Sequence, residues 1–295
     1  MKPTHEVTIE RLDGPVRASA RDAVVVEAPL QLRARGAPVA TIMRTPGADL
    51  ELVRGLLHAE GIAIGAHAHT AGIVGDAGIG SRAIVQIDED AVEIDVPADA
   101  FAGRGLLSSA ACGVCGRVAI ADLELRATEV SADTRVSASI LATMPATLRE
   151  AQSVFATTGG LHGAGLFTID GALVAAREDV GRHNAVDKLV GWALGVGAVA
   201  SSSNASSNAS SNTSSNASSN ASRVDPSKHV LVLSGRAGYE LVQKAIMLGV
   251  PIVASVSAPS SLAIELAERF NVALVGFVRD GRANVYAHGW RIASP

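Results

Sequence analysis

"HVLVLSGRAGYELVQKAIMLGVPIVASVSAPSSLAIELAERFNVALVGFV", residues 229–278, decides the fold class. Three short apolar runs, HVLVLSG (229–235), PIVASVS (251–257) and VALVGFV (272–278), read as strands. GYELVQKAIMLG (238–249) and SSLAIELAERF (260–270) separate them and read as helices. Strand–helix–strand–helix–strand predicts parallel strands joined by right-handed crossovers.

The pattern extends both ways from there. Upstream, AGLFTIDGALVAARE (164–178) predicts a hairpin, because Asp170-Gly171 is a strong two-residue turn signal. PATLREAQSVFATTGG (145–160) predicts one helix, with Pro145 near its first turn and glycines after its end. GRHNAVDKLVGWALG (181–195) predicts another helix, and ANVYAHGW (283–290) a last strand. Residues 119–295 are therefore expected to form an α/β domain with a mixed sheet and helices on both faces.

Residues 1–104 read as a smaller α+β region. HEVTIERL (5–12) alternates, and DAVVVEAPLQLRARGAPVATIMR (22–44) reads as β-segments joined at Gly-Ala-Pro. TPGADLELVRGLLHAEG (45–61) predicts a helix with Asp49 as N-cap, Leu50, Val53, Leu56 and Leu57 as buried stripe, and Gly61 as its end. AIVQIDEDAVEIDVP (83–97) predicts two strands around an acidic turn. GRGLLSSAACGVCG (103–116) has neither period; residues 105–118 are expected to be an exposed, mobile loop, followed by a short helix in RVAIADLELRA (117–127).

Composition narrows the function classes. The 295 residues are 48% hydrophobic, enough for a large core, and carry a net charge of −4 with no basic block, which argues against binding nucleic acid. MKPTHEVTIE lacks an apolar leader core, and LVGWALGVGAVA (189–200) is too short to span a bilayer. A cytoplasmic protein without membrane insertion is expected. Two cysteines are too few for a disulfide framework in a chain of this size. The repeat SSSNASSNASSNTSSNASSNAS (201–222) has nothing to bury and is expected to be disordered and without function.

Both cysteines, Cys112 and Cys115, lie in SSAACGVCGR (108–117). Three readings stand open: half a metal site, a redox pair or a sulfur carrier. Zinc needs two further ligands, for which only His67 and His69 in GAHAHT (65–70) offer themselves; a redox CxxC belongs at a helix start after a strand. REDVGRHNAVDK (177–188) is denser. There Asp179 can cap the helix, and Asp187 and Lys188 read as an ordinary solvated face. Gly181-Arg182-His183-Asn184 at a helix start favours an anion. In LSGRAGYE (233–240), Ser234, Gly235 and Arg236 form a turn from strand to helix able to cradle phosphate, without the Gly-Lys-Ser ending of a Walker loop. SVSAPSSLA (255–263) brings hydroxyls to the next strand end, and GFVRDGR (276–282) brings Arg279 and Arg282 to the third. Parallel-sheet ligands bind beyond the carboxyl ends of strands, so an anionic, nucleotide-like ligand is expected there. TTGGLHGAG (157–165), carrying His162, reads equally as a helix cap and turn or as part of a site.

Taken together, these stretches resemble a known family, the formate dehydrogenase accessory sulfurtransferases, FdhD. RTPGADLELVRGLLHAEGI (44–62), SSAACGVCGR, REDVGRHNAVDKLVG (177–191), VLVLSGRAGYELVQKA (230–245) and GFVRDGRANVYAHGWRI (276–292) occur in the family's order over nearly the whole chain. The serine–asparagine insertion departs from the family, where this connection is short. The resemblance implies a cytidine-deaminase-like α/β half, although the zinc signature of the deaminases is missing. It implies a homodimer that takes sulfur from a cysteine desulfurase as a persulfide on Cys112, beside Cys115; no metal is expected there, because the loop offers no obvious third and fourth ligand. The sulfur goes to the bis-molybdopterin guanine dinucleotide form of the molybdenum cofactor, which formate dehydrogenase requires. The family's cofactor site carries over onto Phe277, Val278, Arg279, Asp280, Gly281 and Arg282, with GDP as a mimic of the ligand's tail. The alternatives are a non-catalytic cofactor chaperone with a structural metal at CxxC and a deaminase-like hydrolase.

Overall fold

The computed structural model describes residues 1–62, 84–101, 123–124, 126–195 and 224–294. Strands β1 (Thr4–Asp13) and β2 (Val16–Val25) form a two-stranded antiparallel ribbon. Strands β3 (Ala28–Ala34), β4 (Ala37–Arg44), β5 (Ile84–Asp88) and β6 (Ala91–Ile94) make a four-stranded sheet in the order β4-β3-β6-β5. The turn between β3 and β4 is Arg35-Gly36, both at positive φ, and Ala37 and Pro38 already belong to β4. In β3 every second residue, Ala28, Leu30, Leu32 and Ala34, is buried. Helix α1 (Asp49–Ala59) covers that face, and its Leu52, Val53 and Leu57 close a core with Leu30, Leu32, Val92 and Ile94. Each such side chain contributes about 1.5–3 kcal/mol on burial.

Two details of α1 differ from the sequence expectation. Leu52 is fully buried, whereas Leu50 and Leu56 are half-buried. Asp49 is not the N-cap; Ala48 is, in the left-handed region at φ 56°. Asp49 instead receives two hydrogen bonds, each 3.0 Å, from the guanidinium of the fully buried Arg44. A charge that deep needs a partner, and the carboxylate is more useful there than on a backbone N–H. Gly61, at φ +65°, ends the helix as expected.

The larger sheet has six strands in the order β13-β12-β11-β10-β8-β9. They are β8 (His162–Thr168), β9 (Leu173–Asp179), β10 (His229–Leu233), β11 (Ile252–Ser255), β12 (Ala273–Arg279) and β13 (Arg282–Ala287). β10, β11 and β12 are parallel, while β8, β9 and β13 run against their neighbours. β7 (Val136–Ser137) and β14 (Ile292–Ala293) pair in parallel as a separate two-stranded sheet. Alternate residues of β10 face opposite layers. Leu231 and Leu233 join the core beneath α5 (Arg182–Ala193), α6 (Tyr239–Leu248) and α7 (Ser261–Arg269). Val230 and Val232 join the core with α2 (Ala138–Leu141) and α3 (Met144–Ala151). The expected mixed sheet with helices on both faces is therefore present.

The single helix expected over 145–160 is two, α3 and α4 (Ser153–Thr158), broken at Gln152 (φ −84°, ψ 76°). Gln152 is 2% exposed, and its amide carbon occupies the space where a Cβ on Gly163 would be, at 2.5 Å. Packing of that amide over β8 overrides local helical propensity.

Asp187 and Lys188, expected on a solvated face, are both 2% exposed. They lie where α5 crosses α1 so closely that a Cβ on Gly55 would sit 1.9 Å from the Asp187 carbonyl oxygen, and one on Gly191 1.8 Å from that of Glu51. Lys188 pairs with the fully buried Asp179 at 2.7 Å, and Asp187 with Lys244 of α6 at 2.7 Å. Arg177 and Glu51 add a bidentate pair across the same seam, at 2.5 and 2.8 Å. Much of the REDVGRHNAVDK motif thus fastens the amino-terminal layer onto the six-stranded sheet.

Candidate functional site

Antiparallel pairing brings the start of β8 beside the end of β10, and the end of β9 beside the start of β8. Loops after β9, β10, β11 and β12 therefore meet along one end of the sheet. Ser234 and Gly163 exchange hydrogen bonds: the Gly163 N–H donates to Ser234 Oγ at 2.7 Å, and the Ser234 N–H to the Gly163 carbonyl at 3.0 Å. This sets the His162 imidazole over Gly235, its Nδ1 3.4 Å from where a side chain there would begin. The loop continues through Ala237, whose N–H donates to the Ala258 carbonyl and whose carbonyl accepts from Ser260. The Ser257 carbonyl in turn accepts from the Phe277 N–H at 3.2 Å. His162, the Ser234–Gly238 turn, the 257–260 loop and Phe277 are thus one connected rim.

α5 delivers the next side chains. Gly181 is its N-cap, held by its N–H on Asp179 Oδ1 at 2.9 Å. Asp179 also accepts from Asn184 and from the Thr45 N–H, so it fastens the turn from beneath instead of capping the helix. Glu178 faces another way and accepts the N–H groups of Val154 and Phe155 at the start of α4. That leaves Arg182 and His183, both half-buried, at the rim. His183 Nε2 lies 2.8 Å from Glu240 Oε2 in the first turn of α6. The hydrogen bond from His183 is the main cause holding the Glu240 carboxyl below its usual range. The His162 pKa is lowered too, by partial burial first and then by the charges of Arg182 and His183, with Asp179 opposing them; for an imidazole this disfavours the charged form.

The β12–β13 turn forms the far end of the rim. Phe277 (φ +54°), Asp280 (φ +52°) and Gly281 (φ +72°) lie in the left-handed region, and the ladder bulges between Gly276 and Arg279. Non-glycine residues held at positive φ store strain of about 1–3 kcal/mol each and cluster at ligand sites. Gly276 is obligatory here, since a Cβ would stand 2.9 Å from Pro259 and 3.1 Å from the Ser257 carbonyl. Arg279, Asp280, Gly281 and Arg282 are exposed, and Phe277 is half-buried. Val278 is fully buried in the core beside α2 and α3, so it supports the turn from within.

Of the site residues expected from sequence, the structure gathers Arg182, His183, Ser234 and Gly235 at one end of the rim, with Arg236 exposed next to them. Phe277 and the Arg279–Arg282 turn stand at the other end. Two hydroxyls of the 255–263 segment serve the backbone instead: Ser255 donates to the Ser257 carbonyl, and Ser260 caps α7. Cys112, Cys115, His67, His69 and the 201–222 insertion lie outside the described residues. The sequence reading does not reach Glu240, and it reads His162 equally as part of a turn or of a site. Nothing local in the sequence marks Glu240, because its partner His183 lies on another helix. No helix among the described residues is long and apolar enough to cross a membrane.

Comparison with known proteins matches this architecture. The model of the FdhD/NarQ family covers residues 25–293. The sulfur carrier protein FdhD of Nocardia farcinica is 42% identical over 283 residues, spanning 93% of this chain and 89% of that one. Its counterpart in Anaeromyxobacter dehalogenans strain 2CP-1 is 45% identical over 293 residues, spanning 97% and 93%. A crystal structure from Desulfotalea psychrophila, described as a formate dehydrogenase accessory protein, superposes with a TM-score of 0.69 at 21% identity, over 98% of this chain and 99% of the other. With the family model matching residues 25–293 and relatives 42–45% identical over more than nine-tenths of its length, the chain belongs to the FdhD/NarQ family.

Proposed function

We propose that this protein is a sulfur carrier and sulfurtransferase in formate dehydrogenase maturation. Cys112 accepts sulfur from a cysteine desulfurase and passes it to the molybdenum cofactor, held as substrate at the strand-end rim. In the loading step the Cys112 thiolate attacks the terminal sulfur of the donor's persulfide. The donor's sulfur–sulfur bond breaks, its thiolate leaves, and Cys112 becomes the persulfide, with no net oxidation. Cys115 assists as the neighbouring thiol. The names of the relatives support the carrier role.

The observation that carries the ligand half of the proposal is the rim itself. Arg182, His183, the Ser234–Gly235 turn and the positive-φ turn Phe277–Arg282 stand along one sheet end, where charge-assisted contacts suit the phosphates of a guanine dinucleotide. We read the six-stranded half as cytidine-deaminase-like, and the working unit as a cytoplasmic homodimer. Loading tests the carrier role. Incubated with a cysteine desulfurase and cysteine, the wild type gains the mass of one sulfur, while Cys112→Ser stays folded and gains none. Loading of Cys112→Ser, or stoichiometric zinc on the wild type, overturns the proposal.

A further inference from the structure

The rim contains an imidazole that the proposed function does not use. His162 is the first residue of β8, and its ring overhangs Gly235. The groups facing it come from two elements. Arg182 and His183 of α5 present positive charge, and Asp179 of β9 presents negative charge. Asp179 is already satisfied by Lys188, Gly181, Asn184 and Thr45. His183 is fixed by Glu240 of α6. Arg236, on the loop below the ring, is exposed. The imidazole thus sits beside Arg182 and His183, and Asp179, its partner across the β8–β9 ladder, is already engaged elsewhere.

We propose that His162 is a further binding residue of this site, taking up a proton as an anionic phosphoryl group docks between it, Arg182 and His183. The inference rests on the reading above only for what the anion is attached to. Its physical content is linkage. In the free protein, partial burial and then the charges of Arg182 and His183 lower the ring's pKa, which disfavours its protonated form. A docked phosphate neutralises that field, and the ring then gains a proton from the buffer and donates it to the anion as a charge-assisted hydrogen bond. The sign follows: the bound state holds more protons than the free state, so affinity rises as pH falls through the ring's titration range.

The probe is inorganic pyrophosphate, titrated calorimetrically into the full-length protein in two buffers of different ionisation enthalpy. The enthalpy is expected to differ between buffers by an amount showing proton uptake. The His162-dependent part of the affinity should fall by up to about tenfold as pH rises through the ring's titration range, the limit for a group whose pKa rises by roughly one unit on binding. His162→Gln should take up fewer protons than the wild type and show a weaker pH dependence while keeping the weaker, high-pH affinity. A buffer-independent enthalpy, uptake unchanged in His162→Gln, or no binding of pyrophosphate overturns the proposal. Should the variant not fold, histidine titration by NMR on the wild type decides: the His162 midpoint must rise when pyrophosphate saturates the site, and an unmoved midpoint overturns the assignment. Failure of GDP to bind while pyrophosphate binds with uptake overturns the guanine-nucleotide reading and leaves this one standing.

Discussion

Replacing Lys188 by methionine isolates the buried seam that holds the rim in place. Lys188 Nζ lies 2.7 Å from Asp179 Oδ2 and donates to the Thr45 carbonyl at 2.8 Å. Methionine keeps most of the stem's volume but removes the charge and every N–H donor. Removing one partner of a buried ion pair costs about 3–5 kcal/mol, mainly because the other charge stays buried. Asp179 keeps three donors, from Thr45, Gly181 and Asn184. They place its share at the low end, about 3 kcal/mol. The Thr45 carbonyl loses a donor as well, which adds about 1 kcal/mol. A total of about 4 kcal/mol, with a urea m-value near the upper end of about 1–3 kcal/mol/M, lowers the unfolding midpoint by roughly 1–2 M. Urea denaturation followed by far-UV circular dichroism measures it. In the double variant Asp179→Asn with Lys188→Met, the loss should be smaller than the sum of the single losses, because no charge is stranded. A single-variant loss under about 1 kcal/mol would refute the reasoning, since that is the range of a surface pair.

Three further outcomes follow from the same geometry. Gly191→Ala must drive α1 from α5, because its Cβ would fall 1.8 Å from the Glu51 carbonyl oxygen; a stability loss of at least about 3 kcal/mol is expected, and a thermal melt within a degree or two of wild type contradicts it. Burial raises the Asp187 pKa from 3.8 to about 6, against the opposing pull of Lys244. The folded state therefore binds the proton more tightly than the unfolded chain, and this group's contribution to stability declines as pH rises from about 4 to about 6. Asp187→Asn removes that slope, so the stability of the variant relative to wild type should climb over this window, as read from denaturation midpoints at several pH values; a constant difference contradicts the burial argument. Arg279→Ala should weaken GDP binding at least about tenfold by calorimetry, because a charge-assisted arginine–phosphate contact is worth about 1.5–3 kcal/mol; unchanged affinity places the nucleotide elsewhere.

The central sheet was legible because its signals are local. The runs 229–235, 251–257 and 272–278 are short, apolar and spaced by helices of ordinary length, and Asp170-Gly171 specifies its turn within four residues. The seam was not legible, because its logic is pairwise across long separations. Lys188 meets Thr45 across 143 positions, and Lys244 meets Asp187 across 57. A charged pair on a helix looks the same in one dimension whether it faces water or a second helix. The flanking Ala185, Val186, Leu189 and Val190, all buried, were the available warning. The break at Gln152 is not legible for a related reason: no glycine or proline marks it, and the cause is the bare surface of Gly163 on strand β8. At the rim, the individual turns were readable, but His162 over Gly235 and His183 on Glu240 depend on strand order and helix placement. Those are fixed only when β8 inserts antiparallel beside β10.

The central claim is that sulfur travels through Cys112 to the molybdenum cofactor, and following the atom tests it most directly. Cysteine carrying a heavy sulfur isotope is supplied to a cysteine desulfurase, the wild-type protein and formate dehydrogenase bearing unsulfurated cofactor, and the isotope in the cofactor is then measured. The account predicts labelled, active dehydrogenase with the wild type and neither label nor activity with folded Cys112→Ser. Equal labelling by Cys112→Ser would contradict it.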